Sequence, residues 1–222
     1  MSRPLRILIA DDHAIVRHGL RQILSDVDDM TIAGEAEDGV KATQMIRSGE
    51  WDVVLLDISM PERNGIDTLK LIKKEHPRLP VLMLSMHPEE QYAVRALKAG
   101  ASGYLSKHSA PELLVSAIRQ VASGKKYVSP AVAEQLANAI SDEDSDRPPH
   151  EKLSDREYQT LCLMASGKTL TQIGEELNLS VKTVSVYRAR LLEKMNLKNN
   201  AELTHYALKL SLIHISEPTR PY

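Results

Sequence analysis

One cysteine, Cys162, is all the thiol chemistry that the 222 residues hold, so no internal disulfide can form and nothing points to a zinc site. No stretch approaches the roughly 18 apolar residues that a membrane helix needs. The opening MSRPLRILIADD turns acidic directly after its apolar run and lacks a small-residue cleavage site; it reads as a first strand, not a signal peptide. A cytoplasmic location is the expectation that follows. An overall excess of positive charge is also missing, with 28 Lys and Arg against 30 Asp and Glu. The chain as a whole therefore lacks the basicity of a nucleic-acid binder, although residues 180–198 hold five basic residues and one acidic residue, a local footprint that such binding needs. None of the eight histidines pairs with cysteine or a carboxylate at a metal-binding spacing. His13 and His18 are assigned to the surface or packing of a first helix, and Cys162, between two leucines, to a small core position.

What is present is ordinary globular material, 42% hydrophobic and 26% charged, enough for each half to bury a core. Residues 1–124 alternate short apolar runs with longer amphipathic stretches. The runs are Leu5–Ala10, Met30–Ala36, Val53–Asp57, Val81–Ser85 and Gly103–Ser106. Stretches such as Ala14–Ser25, Asn64–Glu75 and Pro111–Ser123 carry apolar residues at helical spacing, with Leu113, Leu114, Ala117, Ile118 and Val121 forming one stripe. Five strands alternating with five helices imply an α/β, doubly wound parallel sheet covered on both faces. Right-handed crossovers favour the order 2-1-3-4-5, with the ligand site at the carboxyl ends of the strands. Residues 125–150 read as a linker with one helix, because SDEDSDRPPH at 141–150 is charged, proline-containing and unable to pack. Residues 151–209 read as a small all-α domain. Ser154 and Glu157 have the capping-box spacing of a helix start.

Asp11 and Asp12 close the first strand, Asp57 the third and Ser85 the fourth, while Lys107 follows the fifth. A doubly wound sheet converges all five on one edge. Three carboxylates there would raise one another's pKa unless a cation joined them, and Mg²⁺ suits such a set because it takes one or two carboxylates and leaves room for a phosphate oxygen. Lys107 adds a compact positive charge and Ser85 a hydroxyl donor. The chemistry that fits is phosphoryl transfer to a carboxylate. Asp57 is the expected acceptor, the adjacent pair being better suited to metal. The competing reading, that strand-end aspartates simply cap loops, would hold for any one of these residues but not for five at matching strand ends.

In the second domain, Leu170–Leu177 reads as a short helix, Asn178–Ser180 as a tight turn and Val181–Met195 as a longer helix. That is the helix-turn-helix arrangement whose second helix enters the major groove. Val184, Leu191 and Met195 form its packed stripe. Lys182, Ser185, Arg188 and Arg190 lie elsewhere on its surface, and Lys168 precedes the pair, all available to DNA. The alternative is a solvated basic face on a structural bundle.

Asp11-Asp12, Asp57 within LLDISMP, Ser85 and Lys107 within GYLSK resemble the receiver domain of response regulators over about residues 4–124. Leu153-Ser-Asp-Arg-Glu157, Ser166-Gly167, Ile173–Leu177, Leu179-Ser180, Thr183-Val184 and Leu192–Leu197 resemble a LuxR-type helix-turn-helix. Together the chain is similar to the NarL/FixJ family of two-component transcription factors. The resemblance implies phosphotransfer from a sensor histidine kinase and Mg²⁺ held by Asp12, Asp57, the Ser59 carbonyl and often Asp11. It places Ser85 and Tyr104 as switch residues, where spacing alone would make Tyr104 an ordinary half-buried tyrosine. Ser59 and His87 fall where the family tunes dephosphorylation. It also adds Thr183 and Tyr187 to the DNA-facing set, with Tyr187 standing where the family often has His. A protein of this kind is no enzyme beyond its own phosphorylation and dephosphorylation. It is expected to act as a homodimer on paired half-sites once phosphorylated, consistent with the few base pairs that one helix reads.

Two rival classes compete on these residues. One is a phosphorelay or protein-interaction module whose helical domain binds a protein. The other, a metal-dependent hydrolase, lacks a separate acid or base and a substrate cleft. Finally, LSLIHISEPTRPY at 210–222 is similar to the in-frame translation of a transposase adapter used in preparing sequencing libraries. It is expected to be non-native, against the alternative of a divergent native tail.

Overall fold

The computed structural model describes residues 3–61, 63–86, 89–141, 148–210 and 212–213. It divides into two compact units, Met1–Ile140 and Ser141–Tyr222. In the first, strands β1 (Leu5–Ala10), β2 (Met30–Ala36), β3 (Val53–Asp57), β4 (Val81–Ser85) and β5 (Gly103–Ser106) alternate with helices α1 (Ala14–Ser25), α2 (Gly39–Ser48), α3 (Gly65–Glu75), α4 (Glu89–Lys98) and α5 (Pro111–Ala122). All four strand pairings are parallel, in the order β2-β1-β3-β4-β5. The expected doubly wound sheet is therefore the one observed.

Strand alternation divides the core into two layers. Ile7, Ile9, Leu55, Leu82, Leu84 and Leu105 meet Leu20 and Leu24 of α1 and Leu114, Ala117, Ile118 and Val121 of α5. On the opposite face α2 and α3 bury Ala42, Ile46, Ile66, Leu69 and Ile72. Every residue of β3 and β4 is buried, as central strands of a covered sheet require. One expected member of the α5 stripe differs. Leu113 is 48% exposed because it sits at the stripe's margin, on the first turn of the helix.

The first unit runs past residue 124. Tyr127 donates its backbone N–H to Ser102 O at 2.9 Å and bridges Gly103, which ties this segment to the edge strand β5. Helix α6 (Pro130–Ser141) follows. Of the acidic linker, residues 142–147 lie outside the described set, and Pro149–Lys152 forms one 3₁₀ turn.

The second unit is helical: α7 (Asp155–Ala165), α8 (Leu170–Glu176), α9 (Val181–Met195) and α10 (Asn200–Lys209). Ser154 and Glu157 do form a capping box on α7, and Thr169 with Gln172 forms a second on α8. The turn between α8 and α9 is tight because Asn178 adopts φ 52°, a left-handed conformation that asparagine tolerates. It also needs Gly174, since a Cβ there would stand 2.7 Å from the Leu179 carbonyl oxygen. Val184, Leu191 and Met195 are buried as expected, and Ile173 and Leu177 of the preceding helix and turn are buried with them. The reading of 210–222 as non-native falls mostly outside the described residues; of that segment Leu212 and Ile213 are buried, and Leu212 N–H closes onto Ala207 O at 2.9 Å.

Candidate functional site: an acidic pocket and a basic helix

The carboxyl ends of the strands bring the dispersed polar residues together. Asp11 follows β1, Asp57 ends β3, Ser85 ends β4, and Lys107 follows β5. Lys107 Nζ lies 2.6 Å from Asp11 Oδ2 and 2.9 Å from Asp57 Oδ1. It is fixed from behind by its own backbone N–H, which donates to Ser85 O at 2.8 Å. Asp11, Asp57 and Ser85 are buried, while Asp12 is partly exposed. The loop after β3 folds back so closely that a Cβ on Gly65 would stand 1.9 Å from the Asp57 carbonyl oxygen; only glycine fits there. Ser59 is half-buried within this loop. Tyr104, on β5, is fully buried rather than half-buried. His87 lies outside the described residues.

Charge and burial oppose each other in this pocket. Burial pushes the Asp57 carboxyl up to about 6; Lys107 works against that rise, and the Asp11 and Asp12 carboxylates reinforce it. Burial disfavours the Lys107 ammonium as well, but Asp57 and Asp11 outweigh it and hold the lysine above its ordinary value. One cation thus serves a three-carboxylate cluster. Asp57 Oδ2 is buried with no hydrogen-bond partner, an arrangement that is costly unless a further cation or donor completes it.

The structure corrects the expectation that no histidine accompanies the carboxylates. His13 precedes α1 as its N-cap instead of lying on it, and its backbone N–H donates to Asp11 Oδ1 at 2.9 Å. Its Nδ1 comes to 2.8 Å from Asp12 Oδ1. Ligand atoms of Asp11, Asp12, His13 and Asp57 all lie within 4.8 Å of one another. The signal was the unbroken Asp-Asp-His run, in which a turn can fold the third residue back onto the first; spacing rules built for helices miss it.

On α9 the buried stripe of Val184, Leu191 and Met195 sets the orientation. At 100° per residue, Lys182, Ser185 and Arg190 fall on the outward half and are exposed. Val186 falls there too, 43% exposed; it is a surface position that the basic residues around it do not signal in the sequence. Thr183 lies as far round as Ser185, whereas Tyr187 and Arg188 sit on the inner shoulder, about 60° and 40° from the centre of the stripe; all three are half-buried. Thr183 is partly engaged in the helix start, its Oγ1 2.8 Å from Ser180 Oγ. Arg188 Nε donates to Asn200 Oδ1 at 2.8 Å. Lys168 is not free, since it forms an ion pair with Glu176 of α8.

Comparison with known proteins agrees with both halves. The family described as "Response regulator receiver domain" matches residues 7–119, and "Bacterial regulatory proteins, luxR family" matches residues 151–207. The chain is 38% identical over 208 residues to the Escherichia coli "Response regulator UvrY", covering 94% of this chain and 95% of the relative. It is also 38% identical over 215 residues to the "Oxygen regulatory protein NreC" of Staphylococcus carnosus, covering 94% and 99%. Among solved structures, RcsB from Salmonella enterica serovar Typhimurium, bound to promoter rprA in the presence of phosphomimetic BeF3-, matches with a TM-score of 0.60 at 28% identity, covering 92% of this chain and 98% of that one. The chain belongs to the response regulators, as a NarL/FixJ-type member that joins a receiver to a LuxR-type DNA-binding domain.

Proposed function

We propose that Asp57 accepts a phosphoryl group from a sensor histidine kinase and that this controls contact between α9 and double-stranded DNA. The observation that carries the reading is the orphaned Asp57 Oδ2 beside the Lys107 ion pair. That oxygen is a buried nucleophile with nothing of the protein's own attached to it. In the transfer, an Asp57 carboxylate oxygen attacks phosphorus, the bond from phosphorus to the donor's imidazole nitrogen breaks, and an aspartyl phosphate results. Lys107 stands where its ammonium can hold the transferred oxygens, and Ser85 can donate its hydroxyl to them. Swinging of Ser85 and turning of Tyr104 would carry the change outward, a two-state element biased by local charge.

The cluster also fits Mg²⁺. The Asp11, Asp12 and Asp57 carboxylates supply hard oxygens within one ion's reach. When bound, the ion neutralises charge on the transferring group. Asp12, Asp57, the Ser59 carbonyl and Asp11 would hold it. The chain itself catalyses nothing beyond its own phosphorylation and dephosphorylation.

We assign the receiver to 1–124 and the DNA-binding domain to 151–209; of the 125–150 linker, the part up to residue 140 stays with the first unit. In the last, Lys182, Ser185, Arg190 and Arg188 would meet bases and phosphates, with Thr183, Tyr187 and Lys168 as flanking contacts and Val186 offering an apolar surface to a thymine methyl. The solved RcsB structures on DNA include two dimers on two parallel DNAs, which supports homodimeric action here. Among the described residues no helix is long and apolar enough to cross a membrane; the cytoplasmic location is part of the proposal and follows from DNA as the partner. The test is a mobility shift with and without a small phosphodonor, at several salt concentrations. Binding should strengthen on phosphorylation, weaken steeply with salt and vanish in Lys182→Ala combined with Arg188→Ala. Absence of DNA affinity in either state would defeat the reading and favour a protein partner for the helical domain.

A further inference from the structure

We propose that Asn200 is a positioning residue for Arg188, holding its guanidinium ready for a DNA phosphate without neutralising it. The inference rests on the reading of α9 as the DNA-contacting helix.

The turn that delivers Asn200 is pinned at both ends. Asn196 closes α9 in a left-handed conformation at φ 54°, and Leu197 N–H returns to Leu192 O at 2.9 Å. Asn199 then caps α10 by accepting from Glu202 N–H at 3.0 Å, while Glu202 Oε2 accepts from Lys198 N–H at 2.8 Å. Asn200, the first residue of α10, is thereby held against the shoulder of α9, where its Oδ1 accepts from Arg188 Nε at 2.8 Å. An arginine uses Nε to orient its side chain and keeps both terminal nitrogens for an anion.

The identity of the acceptor carries the inference. Lys168, the flanking cation before α8, is matched to the carboxylate of Glu176, and its charge is locally cancelled. Arg188 is matched to a neutral amide, so it is oriented while its full charge remains. A carboxylate at position 200 would make the stronger hydrogen bond and would suit the first turn of α10 better. Stability alone would therefore favour aspartate, whereas asparagine favours an arginine that must attract phosphate.

The experiment measures binding of the full chain to a fluorescent mixed-sequence duplex of about 30 base pairs, over a salt series, with thermal unfolding of the same proteins. Arg188→Ala should weaken binding about fivefold and lower the salt slope by about 0.9, the value of one phosphate contact. Asn200→Asp should match that loss of affinity and slope while unfolding at the same or a higher temperature. Asn200→Ala should weaken binding in the wild-type background and add nothing to Arg188→Ala. The inference is overturned if Asn200→Asp binds with unchanged affinity and slope, or if Asn200→Ala has the same effect in both backgrounds. A silent Arg188→Ala removes this contact from the functional reading and the inference with it. An effective Arg188→Ala with silent Asn200 variants removes the inference alone.

Discussion

Removing either partner of the Lys107–Asp57 ion pair should move the stability of the first unit in opposite directions. The Asp57 carboxyl titrates near 6 in the fold against about 3.9 for an unperturbed aspartate. An acid whose folded pKa is raised binds its proton more tightly when folded. Its ionisation therefore takes stability away as pH rises from about 4 through about 6, and the full penalty stands above that window. Two units at about 1.36 kcal/mol each place the penalty near 3 kcal/mol at pH 8. Asp57→Asn removes it and leaves Lys107 paired with Asp11 at 2.6 Å, so the variant should be more stable than wild type by up to about 3 kcal/mol. Lys107→Met instead strands two buried carboxylates and should lose stability, by as much as about 3–5 kcal/mol for a broken buried pair. Trp51 provides the assay. It is the sole tryptophan, and its indole N–H donates to Met45 O at 3.0 Å within the first unit, so its emission during urea unfolding reports that unit. In chelator the gap between wild type and Asp57→Asn should open between pH 4 and pH 7. Added Mg²⁺ should narrow it by stabilising wild type more than the variant. Asp57→Asn being less stable than wild type at pH 8 in chelator would refute the reasoning.

Three further outcomes follow from the second unit. Glu157 is buried and, although burial raises its pKa, the hydrogen bonds from Lys194 (2.6 Å) and Ser154 (2.8 Å) outweigh that and hold it below the ordinary glutamate value. Its contribution is present above about pH 4.5 and lost as pH falls through the lowered folded value, so Glu157→Gln should flatten the acid limb of a circular-dichroism unfolding series between pH 5 and pH 3, to about those limits. Glu176→Gln releases Lys168 from its ion pair and should tighten binding to mixed-sequence duplex while steepening the salt slope by up to about 0.9; an unchanged slope would leave Lys168 away from the DNA. Gly174→Ala forces a methyl against the Leu179 carbonyl and should cost about 1–3 kcal/mol in urea unfolding, with loss of DNA affinity in proportion.

The sheet was legible because its strands are uninterrupted apolar runs. Val53–Leu56 could only be central, and the residues ending the strands then had to converge. Asp11, Asp57 and Lys107 were found by that topology alone. His13 was not, because its approach to Asp12 depends on a turn that no period reveals. Tyr104 needed the family resemblance, since three-residue spacing from a lysine carries no physics by itself. On α9 the buried stripe could be read from 3.6-residue periodicity, but pairings across elements could not. That Lys168 meets Glu176 depends on the turn into α8, and that Arg188 meets Asn200 depends on the turn from α9 to α10, where Asn196 is left-handed. Gly65 and Gly174 were legible as turn residues only after the backbone showed what a side chain would strike.

The central claim is that Asp57, whose Oδ2 the protein leaves without a partner, is the phosphoryl acceptor. The direct measurement is borohydride trapping of the phosphorylated chain, which reduces an aspartyl phosphate to homoserine at the modified residue, followed by peptide mass spectrometry. The account predicts homoserine at position 57 alone and no trapping in Asp57→Asn. Homoserine at Asp11 or Asp12 in the wild-type chain would contradict it.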